Sequence, residues 1–119
     1  MVADNSGHRD RLRERFLKAG ADAFSDHELL ELMLFGVILR RDVKPIAKAL
    51  LARFGSLNNL IGAPIAEIMQ VNGIGESAAI HIKSLHAILL RAGQQELEHK
   101  PIMNSWSALL SYLKLSLAN

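Results

Sequence analysis

The sequence predicts an all-α fold, a compact helical bundle, and three observations carry that expectation. Apolar residues recur at three- and four-residue spacing, as in Leu12 and Phe16, Ile46, Leu50 and Phe54, or Ile82, Leu85 and Leu89. Alternating apolar and polar runs are missing and aromatics are few, so the signals for strands are weak. Capping residues and glycines stand where the helical runs begin and end. With 119 residues the chain has the size of one domain, and folding at that length removes roughly 65% of the exposed surface, enough for one modest core.

A first helix is expected from residue 8 to 18, with Leu12, Phe16 and Leu17 on one side and Ala19-Gly20 as the stop. Ser25, Asp26, His27 and Glu28 form a capping box, in which the Ser25 hydroxyl accepts from the Glu28 amide and the Glu28 carboxylate accepts from the Ser25 amide. The helix it opens, Leu29 through Phe35, is apolar nearly all round and is expected to be the central buried helix. Residues 36–41 form a connection. Asp42 then caps a helix over residues 43–54, with Pro45 tolerated in the first turn and Ile46, Ala47, Leu50, Leu51 and Phe54 facing the core. Gly55 closes it, Ser56 caps a short helix through Ile61, and Ala63-Pro64 opens another carrying Ile65, Ile68 and Met69. The longest regular helix is expected over residues 76–91, with Ala78, Ala79, Ile82, Leu85, His86, Leu89 and Leu90 as its apolar stripe. The domain is thus read as residues 1–92, followed by a polar linker over 93–103. A last helix over 104–119 carries Trp106, Leu109, Leu110, Leu113 and Leu117, and is read as the start of a truncated C-terminal domain.

Composition removes several classes of function. There is no cysteine, so disulfides and thiolate metal sites are excluded and a reducing compartment is the natural setting. The longest apolar runs are too short to span a bilayer, and the first twenty residues are charged where a signal peptide is apolar, so a cytoplasmic protein without membrane partners is expected. Net charge is only +2, but the cations cluster. Arg9, Arg11, Arg13, Arg15 and Lys18 make one basic stretch; Arg40, Arg41, Lys44, Lys48 and Arg53 make another.

The chemistry concentrates between residues 68 and 79, where the pattern reads as a helix, a Gly-Ile-Gly hairpin at about residues 71–76, and a second helix. Gly73 and Gly75 supply backbone freedom and close approach, Ile74 plugs the core between them, and Ala78 and Ala79 let the two helices pack closely. Free amides of the hairpin and of the second helix's first turn then face solvent, at the positive end of the helix dipole, and suit a phosphate oxygen. Asn72, Gly73, Ile74, Gly75 and Ser77 are the candidate DNA-binding residues here, with Lys83 further along the helix and Arg40, Arg41, Lys44 and Lys48 as a second set of backbone contacts. Contacts of this kind hold phosphates and read no bases, so binding without sequence specificity is expected. Glu76 places a carboxylate at the mouth of the site and Ser77 stands where many such hairpins offer a cation.

In its order of motifs the chain resembles the N-terminal region of the RadC family of bacterial DNA repair proteins. The residues that carry the resemblance are His8-Arg9-Asp10-Arg11-Leu12, the run Gly20-Ala21-Asp22-Ala23-Phe24-Ser25-Asp26-His27-Glu28-Leu29-Leu30-Glu31-Leu32, then Ala52-Arg53-Phe54-Gly55-Ser56, Val71-Asn72-Gly73-Ile74-Gly75, and Pro101-Ile102-Met103-Asn104-Ser105-Trp106. The resemblance implies a helix-hairpin-helix DNA-binding element and a place in DNA repair or recombination. It also implies, in a full-length protein, a C-terminal JAMM-type metal-dependent hydrolase domain, whose His-x-His signature does not occur among the histidines at 8, 27, 81, 86 and 99. His81 and His86 share no helix face well, and a half-buried, hydrogen-bonded His86 is expected instead of a ligand. No metal, cofactor or catalytic residue is expected in this chain.

Two other readings compete. Helix-hairpin-helix glycosylases share the all-helical core and the Gly-x-Gly hairpin, but Ser77 stands where their nucleophilic lysine would be, and Asp42 is the last aspartate of the chain. A protein-interaction or scaffold module, with a purely structural hairpin, would use the apolar strip from Trp106 to Leu117, either as a homodimer interface or laid against the core.

Overall fold

The computed structural model describes residues 5–99 and 111–115, with side chains from residue 7 onward. All of its regular elements are helical, as the periodicity predicts. They are α1 (Asn5–Ala19), a 3-10 turn (Ala21–Ala23), α2 (Asp26–Leu34), α3 (Lys44–Phe54), α4 (Leu57–Gly62), α5 (Ile65–Ile68) and α6 (Glu76–His99); residues 111–115 are also helical.

The local signals hold where they are strongest. Ser25 caps α2 through the Glu28 amide, 3.4 Å away, while its own amide donates to Glu28 Oε1 at 3.0 Å. Gly55 closes α3 in the left-handed conformation with φ 87°, and the Ser56 hydroxyl accepts from the Asn59 amide at 3.1 Å. α3 begins at Lys44 with Val43 at the cap position, yet Asp42 still serves it: its carboxylate accepts from the Lys44 amide at 3.1 Å.

α2 packs on α3, α1 lies on α2, and α4 bridges α3 and α6. Leu34, Leu50, Leu60, Ile68, Ala79 and Ile82 are wholly buried between them, with Phe35, Val43, Ile46 and Ile74 nearly so. Truncating one of the large members, such as Leu50 to alanine, removes about 2–5 kcal/mol by lost transfer energy and the cavity left behind.

The centre is less apolar than the pattern of α2 suggests. Glu31 is 1% exposed, with its two oxygens 2.8 Å from His8 Nε2 and 2.8 Å from His27 Nδ1. A carboxylate only accepts, so each ring presents an N–H to it and the buried group is satisfied from both sides. Arg9, counted in the sequence as part of a basic stretch, is also buried. Its guanidinium donates to the carbonyls of Phe35 at 3.0 Å, Ile38 at 2.6 Å and Arg41 at 3.0 Å, and lies over the Phe35 ring at 4.8 Å. α1 therefore holds the connection between α2 and α3 by a buried polar fork, not only by apolar contact.

The linker read from residue 93 requires correction. α6 runs unbroken through His99, because Gln94, Gln95, Glu96, Leu97 and Glu98 are good helix formers. Gly93, read as a breaker, is instead a buried point of close approach: a Cβ there would stand 2.5 Å from Tyr112 Cδ2. Residues 100–103, and Trp106, Leu109, Leu110 and Leu117 of the last predicted helix, lie outside the described residues.

Candidate nucleic-acid interface

Residues 69–75 join α5 to α6 in a tight turn. The Val71 amide donates to Ile68 O at 3.2 Å and the Ile74 amide to Val71 O at 3.0 Å. Val71 and Ile74 both point into the core, 7% and 5% exposed, so the backbone around them is forced to the surface. The first helical bond of α6 runs from the Ala79 amide to Gly75 O at 3.0 Å. Among the described residues no acceptor meets the amides of Asn72, Gly73, Gly75, Glu76 or Ser77. This is the usual deficit of a helix start, here extended backwards by the turn, and it leaves donors at the positive end of a 24-residue helix.

The two glycines do different work, which the sequence alone did not separate. Gly73 has φ +96°, and a Cβ on it would lie 2.8 Å from Ile46 Cδ1 and 3.3 Å from Arg41 Nη1. It is the residue that lets the hairpin lie on α3. Gly75 has no positive φ, and a Cβ on it would meet nothing within 4 Å. Its lack of a side chain keeps the approach to the amides open rather than relieving strain.

Arg41 is thereby brought to the hairpin. Arg41, Asp42, Pro45, Ile46, Ala49 and Asn72 line a shallow cleft of about 250 Å³ between the start of α3 and the turn. Arg40, Lys44 and Lys48 are exposed, and Lys44 and Lys48, four residues apart, share one face of α3 and each immediately precedes a cleft-lining residue, Pro45 and Ala49. Asp42 contributes the one carboxylate to the lining. Ser77 is exposed in the first turn of α6, beside the exposed Glu76. Lys83 is not free in the same way: its ammonium donates to Ile61 O at 3.0 Å and caps the end of α4.

Arg53 has a role that sequence reasoning missed. Its guanidinium donates to Gln70 Oε1 at 2.6 Å, tying the start of the hairpin to the C-terminal turn of α3, while Gly73 sits on Ile46 one face-length back. The signal, a cation at helical spacing from Ile46 and Ala49, was present but has no meaning until the hairpin is known to lie on that face. Arg9 and Glu31 were also missed; a lone carboxylate inside the apolar run of α2, with a histidine four residues before it, marked the second.

His86 is half-buried, and burial first, then the charge of Lys83, hold its ring below the ordinary imidazole range. Among the described residues no three or more His, Asp or Glu side chains are grouped to hold a metal ion, and no helix is long and apolar enough to cross a membrane.

Fold and surface together define an all-helical domain with an amide-rich hairpin seated on a basic helix. The family profile described as UPF0758 N-terminal matches residues 4–80, and the chain belongs to that family, in keeping with the RadC-like order of its motifs. It is 43% identical over 112 residues to a UPF0758 protein of Ruegeria pomeroyi, covering 94% of this chain and 50% of that one. It is also 43% identical over 108 residues to a UPF0758 protein of Rhodobacter capsulatus, covering 91% of this chain and 50% of the relative. The chain therefore spans about half the length of these relatives. No solved structure matches it.

Proposed function

We propose that this chain is a DNA-binding module that holds the phosphate backbone without reading sequence, and that the α5–α6 turn is a helix-hairpin-helix element. The observation that carries the reading is the set of unoccupied amides of Asn72, Gly73, Gly75, Glu76 and Ser77, with the Arg41 guanidinium held beside Gly73. One phosphate on the hairpin amides and others on Arg40, Arg41, Lys44 and Lys48 would bind any duplex about equally. The chain acts as a binder and not as a catalyst, in the cytoplasm, and the process it serves, repair or recombination, is the one implied by the RadC resemblance.

The test is a fluorescence-anisotropy titration with duplexes of unrelated sequence at two salt concentrations. Alanine at Arg40, Arg41, Lys44 or Lys48 is expected to weaken binding to all of them alike, and to flatten the slope of log affinity against log salt by about one per lost contact. Glu76→Lys is expected to tighten binding, most at low salt where screening is weak. An unchanged affinity for Glu76→Lys in a folded protein means that the hairpin is not at the DNA surface.

A second reading, a protein-binding module, is favoured by an apolar recess of about 190 Å³ lined by Leu29, Leu30, Met33, Leu57, Ile61, Leu85 and Leu89. On that reading the chain forms a homodimer through its Trp106 to Leu117 segment. Sedimentation of a strictly monomeric species across the micromolar range counts against it.

A further inference from the structure

We propose that the outer face of α6 pairs with the same face of a second copy of this chain, antiparallel and two-fold about Ser84. This surface is separate from the Trp106 to Leu117 segment, and the pairing does not depend on the DNA reading.

Along α6, Ser84, Ala87, Ile88 and Arg91 line a shallow recess of about 250 Å³. Residues offset by three, four and seven positions are the four that form the hole for a side chain of a facing helix in knobs-into-holes packing. Ser84 and Ala87 give the recess a low floor, and Ile88, 63% exposed, stands at its wall. The Ser84 hydroxyl donates to His81 O of its own helix at 2.8 Å, so close packing there buries no unanswered donor. Ile80 lies one turn before Ser84 on the same face and is 51% exposed. One exposed isoleucine is ordinary on a protein surface. Here a hole of helical spacing and an apolar side chain to fill it share one face of one helix, which makes that face complementary to itself.

Direction and register follow from the charges. Between Glu76 and Arg91 the only other charged side chain is that of Lys83, which is drawn aside to Ile61 O. Glu76 and Arg91 are exposed, and among the described residues neither forms an ion pair within the chain. A parallel pair in register would set Glu76 on Glu76 and Arg91 on Arg91, like charge on like. In an antiparallel pair about Ser84, Ile80 enters the recess at the partner's Ile88, because the two lie equally far from Ser84 along the helix. The same register brings Glu76 within a turn of the partner's Arg91, and the two helix dipoles oppose. Serine on serine at the axis lets the helices approach to about 8 Å. The contact runs over residues 77–91, about 22 Å of helix. One helix pair of that length is a small interface, so the dimer dissociates in the micromolar range.

The test uses the full chain without DNA, so its outcome is separate from that of the DNA reading. The sequence has no cysteine, and Ser84→Cys therefore introduces a single thiol, on the axis. Under a mild oxidant it is expected to give a disulfide-linked dimer, whereas Gln94→Cys, exposed on the same helix and off the axis, is expected to stay monomeric. In sedimentation equilibrium wild type is expected to dimerise across the micromolar range, and Ile80→Asp to raise the dissociation constant by roughly tenfold or more. Glu76→Arg and Arg91→Glu are each expected to weaken the dimer, and the two changes together to restore it. Circular dichroism checks that each variant is folded; all of these side chains are exposed. A wild type that stays monomeric throughout overturns the pairing, as does a dimer that Ile80→Asp leaves intact and that Ser84→Cys does not link. Failure of the double charge exchange to restore the dimer overturns the antiparallel register.

Discussion

Two polar regions of this molecule obey opposite rules. Around Arg9 and Glu31 the polar groups are buried and every strong one is answered: the carboxylate by two histidine rings, the guanidinium by three carbonyls. Around Gly73 and Gly75 the polar groups are at the surface and left without protein partners. A buried group without a partner costs free energy, so the first region had to be closed for the chain to fold. Water answers the second at no such cost, and a ligand with oxygen acceptors can replace that water. Completeness marks the first region as structural, and the open donors of the second are the groups that the proposed phosphate contact would use.

The largest effect expected from breaking this contrast is at Arg9. Arg9→Ala leaves the carbonyls of Phe35, Ile38 and Arg41 without their donor and is expected to cost about 3 kcal/mol, a fall in Tm of roughly 10–20 °C for a domain of this size. Calorimetry measures it. DNA affinity is expected to fall as well, because the loop that carries Arg40 and Arg41 loses its anchor; equal stability of the two proteins would show the fork to be redundant.

At the hairpin the two glycines separate folding from binding. Gly73→Val must adopt a φ of +96° against Ile46 and is expected to lose roughly 2–3 kcal/mol in urea unfolding. Gly75→Val has room and no strain, so its stability is expected to stay within about 0.5 kcal/mol of wild type while DNA affinity falls uniformly across sequences. If Gly75→Val binds DNA normally, the open amides there are not the phosphate site.

The smallest effect concerns a polar tie that is closed but lies near the surface. The Glu28 carboxylate is held down from its ordinary 4.5 to about 2, first by the Arg15 guanidinium and next by the Ser25 amide; Arg15 Nη2 lies 2.7 Å from it. A depressed carboxylate contributes stability that is present above pH 4.5 and lost as pH falls towards 2. Wild-type stability is therefore expected to decline across that window more steeply than that of Glu28→Gln, measured by urea midpoints at successive pH values. Parallel curves would mean that solvent screens the pair to nothing.

Much of the fold was legible because its signals are local. Ser25 with Glu28, Gly55, Ser56 and Pro64 each act within a turn of themselves, and the apolar spacing of α3 and α6 needs no knowledge of what covers it. The reading failed where a local signal was outvoted. Gly93 looked like the end of a helix, but helix-forming neighbours and the Tyr112 ring hold it inside α6. Arg9 and Arg11 look alike in sequence, and only burial tells them apart.

The candidate site shows the same division. That the turn between α5 and α6 would present amides was fixed by residue order alone, since Val71 and Ile74 must go inward and glycines flank Ile74. Which cations stand beside those amides was not, because Arg41, Arg53 and Lys83 reach their partners across the chain. Tertiary packing put Arg41 at Gly73, gave Arg53 to Gln70 and drew Lys83 away to the end of α4. Backbone geometry follows from neighbours along the chain, whereas the position of a long charged side chain follows from whichever acceptor the folded surface brings within its reach.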